Sequence, residues 1–484
     1  MEQDALAPVD GEFWLINNPD VKFRGRLMVE GGKSHLWVTG PLVSTTTTQI
    51  VSSKEEPVTT YVLRTPQPLP ENATILGTLD RRGQVQYNED VTLLECLCVN
   101  PGLSLPIPGS DHQEWLPRLI VRGTHADEVD PKFSRLQVRF AHLDEWAGPY
   151  VLSQLDGASD TDAEEIRRNL SASLADQGVV RLAREGIVTT SPAGDRNLRS
   201  AIWVEITGLK PMSFDELDRA YIAPLRTLLT LSLGKDCPPV EIQVGDDLLP
   251  VWFDIQPTPI SPLTEDQLHS TMLLQCRDLG IQGIAHWLNR ARLLGHLSHK
   301  VAAVVAGFGY TIENEVLDLA TAAEGLHRRL HPDRQRFDKD LVEQARAAAL
   351  QGCDDLEPKL QEAVKSALSH IADPSFRDRL HDLIDDCAAI LPDVVGLRPK
   401  RWSSDIAEFR NRFAHELNKG HLNEKDILSC LACRESLRWL LLARLLIETG
   451  IPHEILSDRL GKHPRYTIFL RQAKNWSPRI YAEG

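Results

Sequence analysis

Hydrophobic and polar residues alternate along the first half of the chain, in short runs separated by turn signals. Within residues 11–40, runs such as "EFWLI" and "KSHLWVTG" are divided by Asn-Asn-Pro-Asp and Gly-Gly. Similar runs follow around residues 73–100, 133–146, 201–208 and 238–245. A period of two bounded by Gly, Pro, Asn and Asp predicts strands and hairpins. We therefore expect a β-rich N-terminal half.

Two segments of that half have helical patterns instead. Residues 160–190 are predicted to be partly helical, and "FDELDRAYIAPLRTLLTLSLG", residues 214–234, has apolar positions at helical spacing. We expect the second segment to pack on the sheet. The Pro-rich stretch "LLPVWFDIQPTPISPLTEDQ" follows. It marks the predicted domain boundary, with a β-rich region over residues 1–260 and a second domain over residues 261–484.

The second half has the 3.6-residue period of amphipathic helices. Thr264 followed by Gln267 is the capping-box signature of a helix start. In residues 311–331, one stripe of a helix carries Val316, Leu319, Ala323, Leu326 and Leu330. Long helices with one apolar stripe each and short connections are typical of an up-and-down bundle. The predicted fold class is α+β, a β-rich N-terminal half followed by an all-α helical bundle.

Membrane and secretory classes are disfavoured by the apolar pattern. The longest apolar run, "LRWLLLARLLIETG", is interrupted by Arg444 and is too short to span a bilayer. The first residues, "MEQDALAPVDGEF", have neither a basic region nor an apolar core, so we expect no secretory signal and a cytoplasmic protein. The apolar face of "LRWLLLARLL" exceeds what a small bundle obviously needs. We therefore expect a homodimer, or a higher even-numbered homo-oligomer, through the helical half.

Charge is distributed unevenly. The net charge of −15 argues against non-specific coating of nucleic acid, yet basic residues cluster from Arg398 to the C-terminus. This cluster is either a local phosphate-binding surface, or a solvated helix face with a tail that packs on its own domain. The charge pattern leaves both interpretations open.

Metal and cofactor sites are not predicted. The close pairs Cys96/Cys98 and Cys430/Cys433 are interpreted as buried free thiols, because matching ligand spacing for zinc is missing. No phosphate-binding loop or dinucleotide fingerprint is present in the sequence.

Two further sets of potential metal ligands are interpreted without a metal ion. His327 and His331 are not joined by a carboxylate pair at ligand spacing. Asp382, Asp385 and Asp386 are interpreted as the solvated face of an amphipathic helix.

The stretch "EFRNRFAHELNKG", residues 408–420, combines a buried stripe with candidate chemistry. On a helix, Asn411 and His415 lie one turn apart on one face, whereas Arg410 starts about 140° from His415. Phe409 and Phe413 fix the roll of the helix together with Ile406. Arginine is long enough that Arg410 and His415 could reach one phosphate near the end of the helix.

Such a set suits RNA cleavage. Histidine exchanges protons near neutral pH, arginine holds a phosphate and its developing charge, and a same-face asparagine can orient the imidazole. The ribose 2′-hydroxyl is the nucleophile, so no metal is required, and the products are a cyclic phosphate and a free 5′-hydroxyl. The same spacing also fits a surface helix with an ordinary histidine near its cap.

Two resemblances favour the catalytic interpretation. "RNRFAHE" resembles the R-x4-H signature of HEPN domains, and "LATAAEGLHRR" resembles the early HEPN helix that often carries a glutamate, here Glu324. In the first half, "GEFWLINNPDVKFRGRLMVE" and "ILGTLD…VTLLEC" resemble the N-terminal domain of ApeA-type HEPN proteins of bacterial anti-phage defence.

The resemblance implies a metal-independent endoribonuclease of abortive-infection defence, with RNA as substrate and transfer RNA as one candidate. It implies that Arg410 binds the scissile phosphate, that His415 is the general acid or base and that Asn411 orients it. Glu324 is a supporting candidate, or simply a surface carboxylate. HEPN domains usually dimerise, so two Arg/His sets would line one composite cleft. A phage-derived trigger is a candidate activator.

Other classes of function remain open. Some HEPN-like bundles bind nucleotides or partner proteins without cleaving, and a metal-dependent hydrolase is disfavoured by ligand spacing. The β-rich half has no recognisable catalytic set, so we expect it to sense or restrain, or to serve as a scaffold.

Overall fold

The chain forms two compact units, which we describe separately. The structure, a computed structural model, describes residues 8–30, 32–43, 45–49, 62–66, 72–81, 87–100, 112–155, 167–190, 196–253, 263–308, 311–353, 356–415 and 423–483. The first unit comprises Met1–Ala223 and Cys237–Pro262, and the second comprises Pro224–Asp236 and Leu263–Gly484.

The first unit is built from antiparallel strands. They are β1 Val9–Leu15, β2 Phe23–Glu30, β3 Lys33–Thr39, β4 Thr45–Gln49, β5 Val62–Pro66, β6 Ala73–Arg81, β7 Tyr87–Asn100, β8 His112–Leu116, β9 Leu119–Arg122, β10 Leu136–Phe140, β11 Ser171–Ser173, β12 Val179–Thr190, β13 Arg196–Thr207, β14 Pro239–Val244 and β15 Leu249–Phe253. Helix α1 spans Leu143–Leu155, and a short helix α2, Phe214–Leu217, runs into a π-helical turn at Asp218–Ile222. The predicted β-rich N-terminal half is confirmed.

One large sheet contains most of these strands and closes partly into a barrel. Its order is β11-β12-β13-β10-β14-β15-β9-β7-β6-β1-β2-β3-β8, and β8 also pairs with β7. The strands β7, β6, β1, β2, β3 and β8 therefore form a closed ring. The strand β7 makes closure possible because its first part pairs with β9 and its last part with β8. Glu95, with φ of 51°, lies at this change of partner.

Alternating side chains fill the barrel. The core includes Phe13, Leu27, Leu36, Leu93 and Trp115, each with none of its surface exposed. Cys96 and Cys98 lie in the same core as free thiols, as the alternation in "LLECLC" predicts. Closure of the ring leaves fewer unpaired strand edges, which are sites for unwanted association.

The end of the sheet beyond the barrel differs from the prediction. Residues 179–190 form the strand β12, which pairs along its whole length with β13, and residues 171–173 form β11. The prediction of partial helix is wrong for these residues, although residues 167–169 are helical, and residues 156–166 lie outside the described part. Val180 and Leu182 are buried between less buried neighbours, so the period is two. Helix-forming residues such as Arg184 and Glu185 obscure that pattern in the sequence.

The second unit is helical, as predicted. Its helices are α3 Ala223–Leu233, which joins this unit from Pro224 onward, α4 Glu265–Thr271, α5 Cys276–Leu294, α6 His296–Ala306, α7 Ile312–Leu330, α8 Lys339–Gln351, α9 Pro358–Ser369, α10 Phe376–Cys387, α11 Pro399–Ala414, α12 Glu424–Ile447, α13 His453–Lys462, α14 Pro464–Trp476 and α15 Pro478–Tyr481. Within the described chain, none of the helices combines the length and apolar character needed to cross a membrane.

Helix α12 is the centre of the bundle. It contacts α6, α7, α10, α11 and α14, so apolar side chains are needed around much of its circumference. Leu440, Leu441 and Leu445 are fully buried, and Trp439 has 2% of its surface exposed. The apolar face of "LRWLLLARLL" is thus used within this chain, and the expectation that it exceeds the needs of one bundle is wrong.

The junction between the halves is only partly as predicted. Thr264 and Gln267 form the expected capping box, with Thr264 Oγ1 accepting from the Gln267 amide at 3.3 Å. The Leu-rich helix α3 belongs to the second unit, whereas residues 214–222 belong to the first, and the packing of this segment on the sheet stays a prediction. The indole N–H of buried Trp287 donates to the carbonyl of Pro224 at 2.8 Å. The boundary near residue 260 stays a prediction, and residues 261–484 alone omit α3.

Candidate active site

The Arg-Asn…His set lies at the C-terminal end of α11. Arg410 and Asn411 are on its last turns, and His415 is the first residue beyond it, with φ of −111° and ψ of 6°. The His415 amide still donates to the carbonyl of Asn411 at 3.2 Å. Residues 416–422, which include the predicted "LNKG" helix stop, lie outside the described residues. His415 is therefore near the helix end, as the sequence predicts.

Apolar packing sets the roll of α11. Ile406 and Phe409 are buried, while Phe413 is half-buried and stacks on Phe409 with 6.0 Å between ring centroids. This stripe turns Asn411 and His415 to the surface, where both are exposed. Across the part of the chain that the structure describes, neither side chain has a hydrogen-bond partner. The orienting role expected of Asn411 stays a prediction.

Arg410 is held by residues from two other helices. Its Nη2 donates to Glu324 Oε2 on α7 at 3.0 Å, and its guanidinium lies over the Phe376 ring on α10, 5.1 Å from the centroid. The side chain remains 37% exposed. A single Nη2 bond leaves other guanidinium donors for a ligand. The structure thus places Glu324 in contact with Arg410, and its supporting role stays a prediction.

A second arginine shares the same carboxylate. Arg328, one turn after Glu324 on α7, donates from Nη2 to Glu324 Oε1 at 2.9 Å and is 56% exposed. Each carboxylate oxygen therefore holds one guanidinium, and the group of three carries an excess of one positive charge. Such a surface attracts phosphate. The sequence analysis missed Arg328, although Glu324 and Arg328 have the i,i+4 spacing of a helical ion pair.

Phe376 was also missed, and no local pattern identifies it. It is the first residue of α10, so nothing in its own segment places it beneath an arginine of α11. A cation over an aromatic face is stabilised by about 0.5–1 kcal/mol at exposed sites. Phe376 therefore helps to fix the plane of the Arg410 guanidinium.

Behind this group, a buried histidine joins α7 to α10. His327 is fully buried, and its Nδ1 accepts a hydrogen bond from Arg379 Nη1 at 3.2 Å. The imidazole proton must then be on Nε2, which donates to Asp382 Oδ2 at 2.8 Å. Burial lowers the pKa of His327 by more than the bond to Asp382 raises it. We infer a neutral imidazole three residues from Glu324.

One turn further on, His331 repeats the arrangement. Its Nε2 lies 2.9 Å from Asp386 Oδ2, and its ring stacks on that of His327 at 4.8 Å. We call His327, His331, Asp382 and Asp386 the His–Asp ladder. Because the two rungs lie four residues apart on each helix, the ladder fixes the register of α7 against α10.

The ladder corrects two interpretations of the sequence. Asp382 and Asp386 do lie beside His327 and His331, and they are not simply a solvated face. Only Asp385 is exposed. Arginines bind the same carboxylate oxygens as the histidines, with Arg334 Nε 3.0 Å from Asp382 Oδ2 and Arg444 Nε 2.8 Å from Asp386 Oδ2. The pairing spans 55 residues of chain, so spacing along either helix could not disclose it.

Many of the C-terminal basic residues are neutralised within the chain. Arg434 lies 3.1 Å from Glu315, and Arg438 donates to Glu435 at 2.5 Å. Arg401 and Arg479 both pair with the buried carboxylate of Asp405. For these residues, packing on their own domain is the better of the two interpretations.

Models of known protein families match both halves of the chain. Residues 8–287, more than half of the 484-residue chain, match the family model of ApeA N-terminal domain 1. Residues 317–455 match the model of the Apea-like HEPN domain, and this range contains Glu324, Arg410, Asn411 and His415. No curated protein and no solved structure shows significant similarity to the chain.

Proposed function

Because this chain belongs to the ApeA-type HEPN proteins, we propose that it is an effector of bacterial anti-phage defence that cleaves RNA without a metal ion. HEPN domains are typically nuclease-like, and they commonly bind RNA and dimerise. The observation that carries the proposal is the partly exposed ion pair in which Arg410 Nη2 lies 3.0 Å from Glu324 Oε2. His415, five residues after Arg410, is exposed as well.

In this proposal, Arg410 binds the scissile phosphate. Its remaining N–H donors contact non-bridging oxygens, and its charge offsets the negative charge that builds in the transition state. Glu324 and Phe376 hold the guanidinium in place beforehand, so less conformational entropy is lost when RNA binds. Arg328 is positioned to contact a neighbouring phosphate.

His415 carries the proton transfers of the proposed reaction. The ribose 2′-oxygen attacks the phosphorus of the adjacent 3′-phosphate as a base takes the proton of the 2′-hydroxyl. The bond from that phosphorus to the 5′-oxygen of the next nucleotide breaks as the 5′-oxygen receives a proton. The products are a 2′,3′-cyclic phosphate and a 5′-hydroxyl. One imidazole cannot be base and acid in the same step. A homodimer through the helical unit would supply the second from its partner.

The test uses the purified full chain, RNA and an excess of chelator, with and without extract from phage-infected cells. We expect cleavage that leaves cyclic phosphate ends, with transfer RNA among the substrates to be compared. His415→Ala should abolish cleavage. His370→Ala is the matched control, because its imidazole is 79% exposed and outside the site.

The alternatives give different outcomes. RNA or nucleotide binding without cleavage in either condition would indicate a non-catalytic HEPN-like module. Cleavage that chelator removes would indicate a metal-dependent hydrolase. Wild-type cleavage by His415→Ala would overturn the assignment of the catalytic residue.

A further inference from the structure

A second polar site lies in the first unit, away from the barrel core. A cavity of about 490 Å³ opens where β10, β11, β12 and β13 come together. We call it the arginine pocket, and its defining residues are Arg135, Arg167, Ser171, Arg181, Glu205 and Asp246. Cross-strand pairing brings three of them into one row, since Ser171 lies opposite Arg181 and Arg181 lies opposite Glu205.

Glu205 organises two of the arginines. Its side chain is 4% exposed, and Oε1 accepts from Arg135 Nε at 3.0 Å and from Nη2 at 2.5 Å. Its other oxygen, Oε2, pairs with Arg181. One arginine would be enough to neutralise a buried carboxylate. The second leaves guanidinium donors fixed in place at the cavity wall.

The pocket has an excess of positive charge. Arg167 is exposed, and its guanidinium has no partner among the residues described here. The cavity is thus lined by three arginines and two acidic residues, which leaves one positive charge in a chain with a net charge of −15. An anion in the cavity would be attracted to guanidinium planes that are already oriented.

We propose that the arginine pocket binds a small phosphate monoester with a hydroxylated body, such as a sugar phosphate. The phosphoryl group suits the guanidinium forks of Arg167 and Arg181. Asp246 and the hydroxyl of Ser171 offer acceptors for ligand hydroxyls. The described lining contains no aromatic side chain on which a nucleobase could stack. The volume lies in the usual range for small-molecule sites, about 300–1,000 Å³.

This inference is independent of RNA cleavage and gives the β-rich unit a ligand of its own. The first measurement is therefore titration calorimetry of the full chain at physiological salt, with ribose 5-phosphate, inorganic phosphate and ribose as probes. We expect saturable binding of ribose 5-phosphate, weaker binding of phosphate and none of ribose.

Variants locate the binding. Arg167→Ala should weaken ribose 5-phosphate binding by about tenfold or more, the loss expected for a charged hydrogen bond. Arg168→Ala is the control, because Arg168 is the next residue, is also exposed and does not line the cavity. Arg181→Ala would leave Glu205 short of a partner and could unfold the unit, so Arg181→Lys is used instead. It keeps the charge, loses the fork and should weaken binding.

Each other result overturns the proposal. No saturable binding of ribose 5-phosphate or phosphate at millimolar concentration would show that the pocket takes no such ligand. Undiminished binding by Arg167→Ala would place the ligand elsewhere. An equal loss in Arg168→Ala would mean general attraction to surface charge. Equal affinity for phosphate and ribose 5-phosphate would indicate a site for inorganic phosphate and overturn the proposed phosphate monoester.

Discussion

Glu324 places its two carboxylate oxygens on different arginines, Arg410 from α11 and Arg328 from its own helix. Two guanidiniums on one carboxylate keep their planes fixed and leave donors for phosphate oxygens. The sequence predicted Arg410, Asn411 and His415 as a group because they lie on one short segment. Glu324 came only from the resemblance, since 86 residues separate it from Arg410.

Glu324→Gln tests this arrangement. The amide keeps the shape of the side chain and can still accept from Arg410, but the charge is lost. We expect kcat/KM for RNA cleavage to fall about tenfold, because the bond is then no longer charge-assisted. Arg410→Ala should cost at least about a hundredfold, the usual cost of losing a transition-state donor. Equal losses in both variants would contradict a supporting role for Glu324.

At the scale of elements, periodicity predicted the division into strands and helices but not how helices pair. The capping box at Thr264 and the apolar stripe of α7 are local patterns, and both are present. The His–Asp ladder joins α7 to α10 through residues that are 55 positions apart in the chain. The sequence of each helix by itself indicates only an amphipathic helix. Tertiary contacts of this kind decide which polar residues are buried, so sequence spacing could not predict them.

The ladder predicts how stability depends on pH. Burial lowers the pKa of His327 below its usual 6.5, and also lowers the pKa values of half-buried His299 and buried His463. Between the folded and unfolded pKa values, the unfolded chain binds more protons. The contribution is therefore complete above about pH 6.5 and is lost as the pH falls towards the folded pKa values. Denaturant unfolding between pH 5 and 8 measures this slope.

His327→Gln is the variant for that measurement. Glutamine can both accept and donate but does not titrate, so we expect a shallower fall in stability below pH 6.5. The carboxylate of Asp382 titrates in a separate range, because bonds from His327 and Arg334 lower its pKa below 3.8 despite burial. An unchanged slope in His327→Gln would assign the pH dependence to other groups.

A buried hydrogen bond joins α11 to α12. The indole N–H of Trp402 donates to Ser436 Oγ at 2.7 Å, and both residues are fully buried. Ser436→Ala leaves that N–H without its acceptor, so we expect the free energy of unfolding to fall by about 1–3 kcal/mol. Ser369→Ala, an exposed helix serine with a similar backbone bond, should change it by less than about 0.5 kcal/mol.

At the scale of the whole molecule, the sequence predicted two halves of different class and the structure agrees. The expected oligomer rested partly on the apolar face of α12, which is now accounted for inside the bundle. The remaining ground is chemical, because one His415 cannot complete both proton transfers, together with the common dimerisation of HEPN domains.

We therefore expect the full chain to be a homodimer by light scattering at micromolar concentration. An excess of His415→Ala protein mixed with wild-type protein should lower the cleavage per wild-type chain, because a mixed dimer has only one His415 for the two proton transfers. A fully active monomer would contradict a shared cleft. A dimer in which His415→Ala protein leaves the cleavage per wild-type chain unchanged would mean that each site uses the residues of one chain only.

Helix α3 has a consequence for synthesis on the ribosome. Its leucines belong to the second unit, yet they precede Cys237–Pro262, which completes the first. At about 5–20 residues per second, several seconds pass between the emergence of α3 and that of Trp287 and His299, which bond to its residues Pro224 and Thr227. During that interval the nascent chain carries a Leu-rich segment whose packing partners have not been translated. If the first unit folds first, it therefore does so with α3 already synthesised and without these partners.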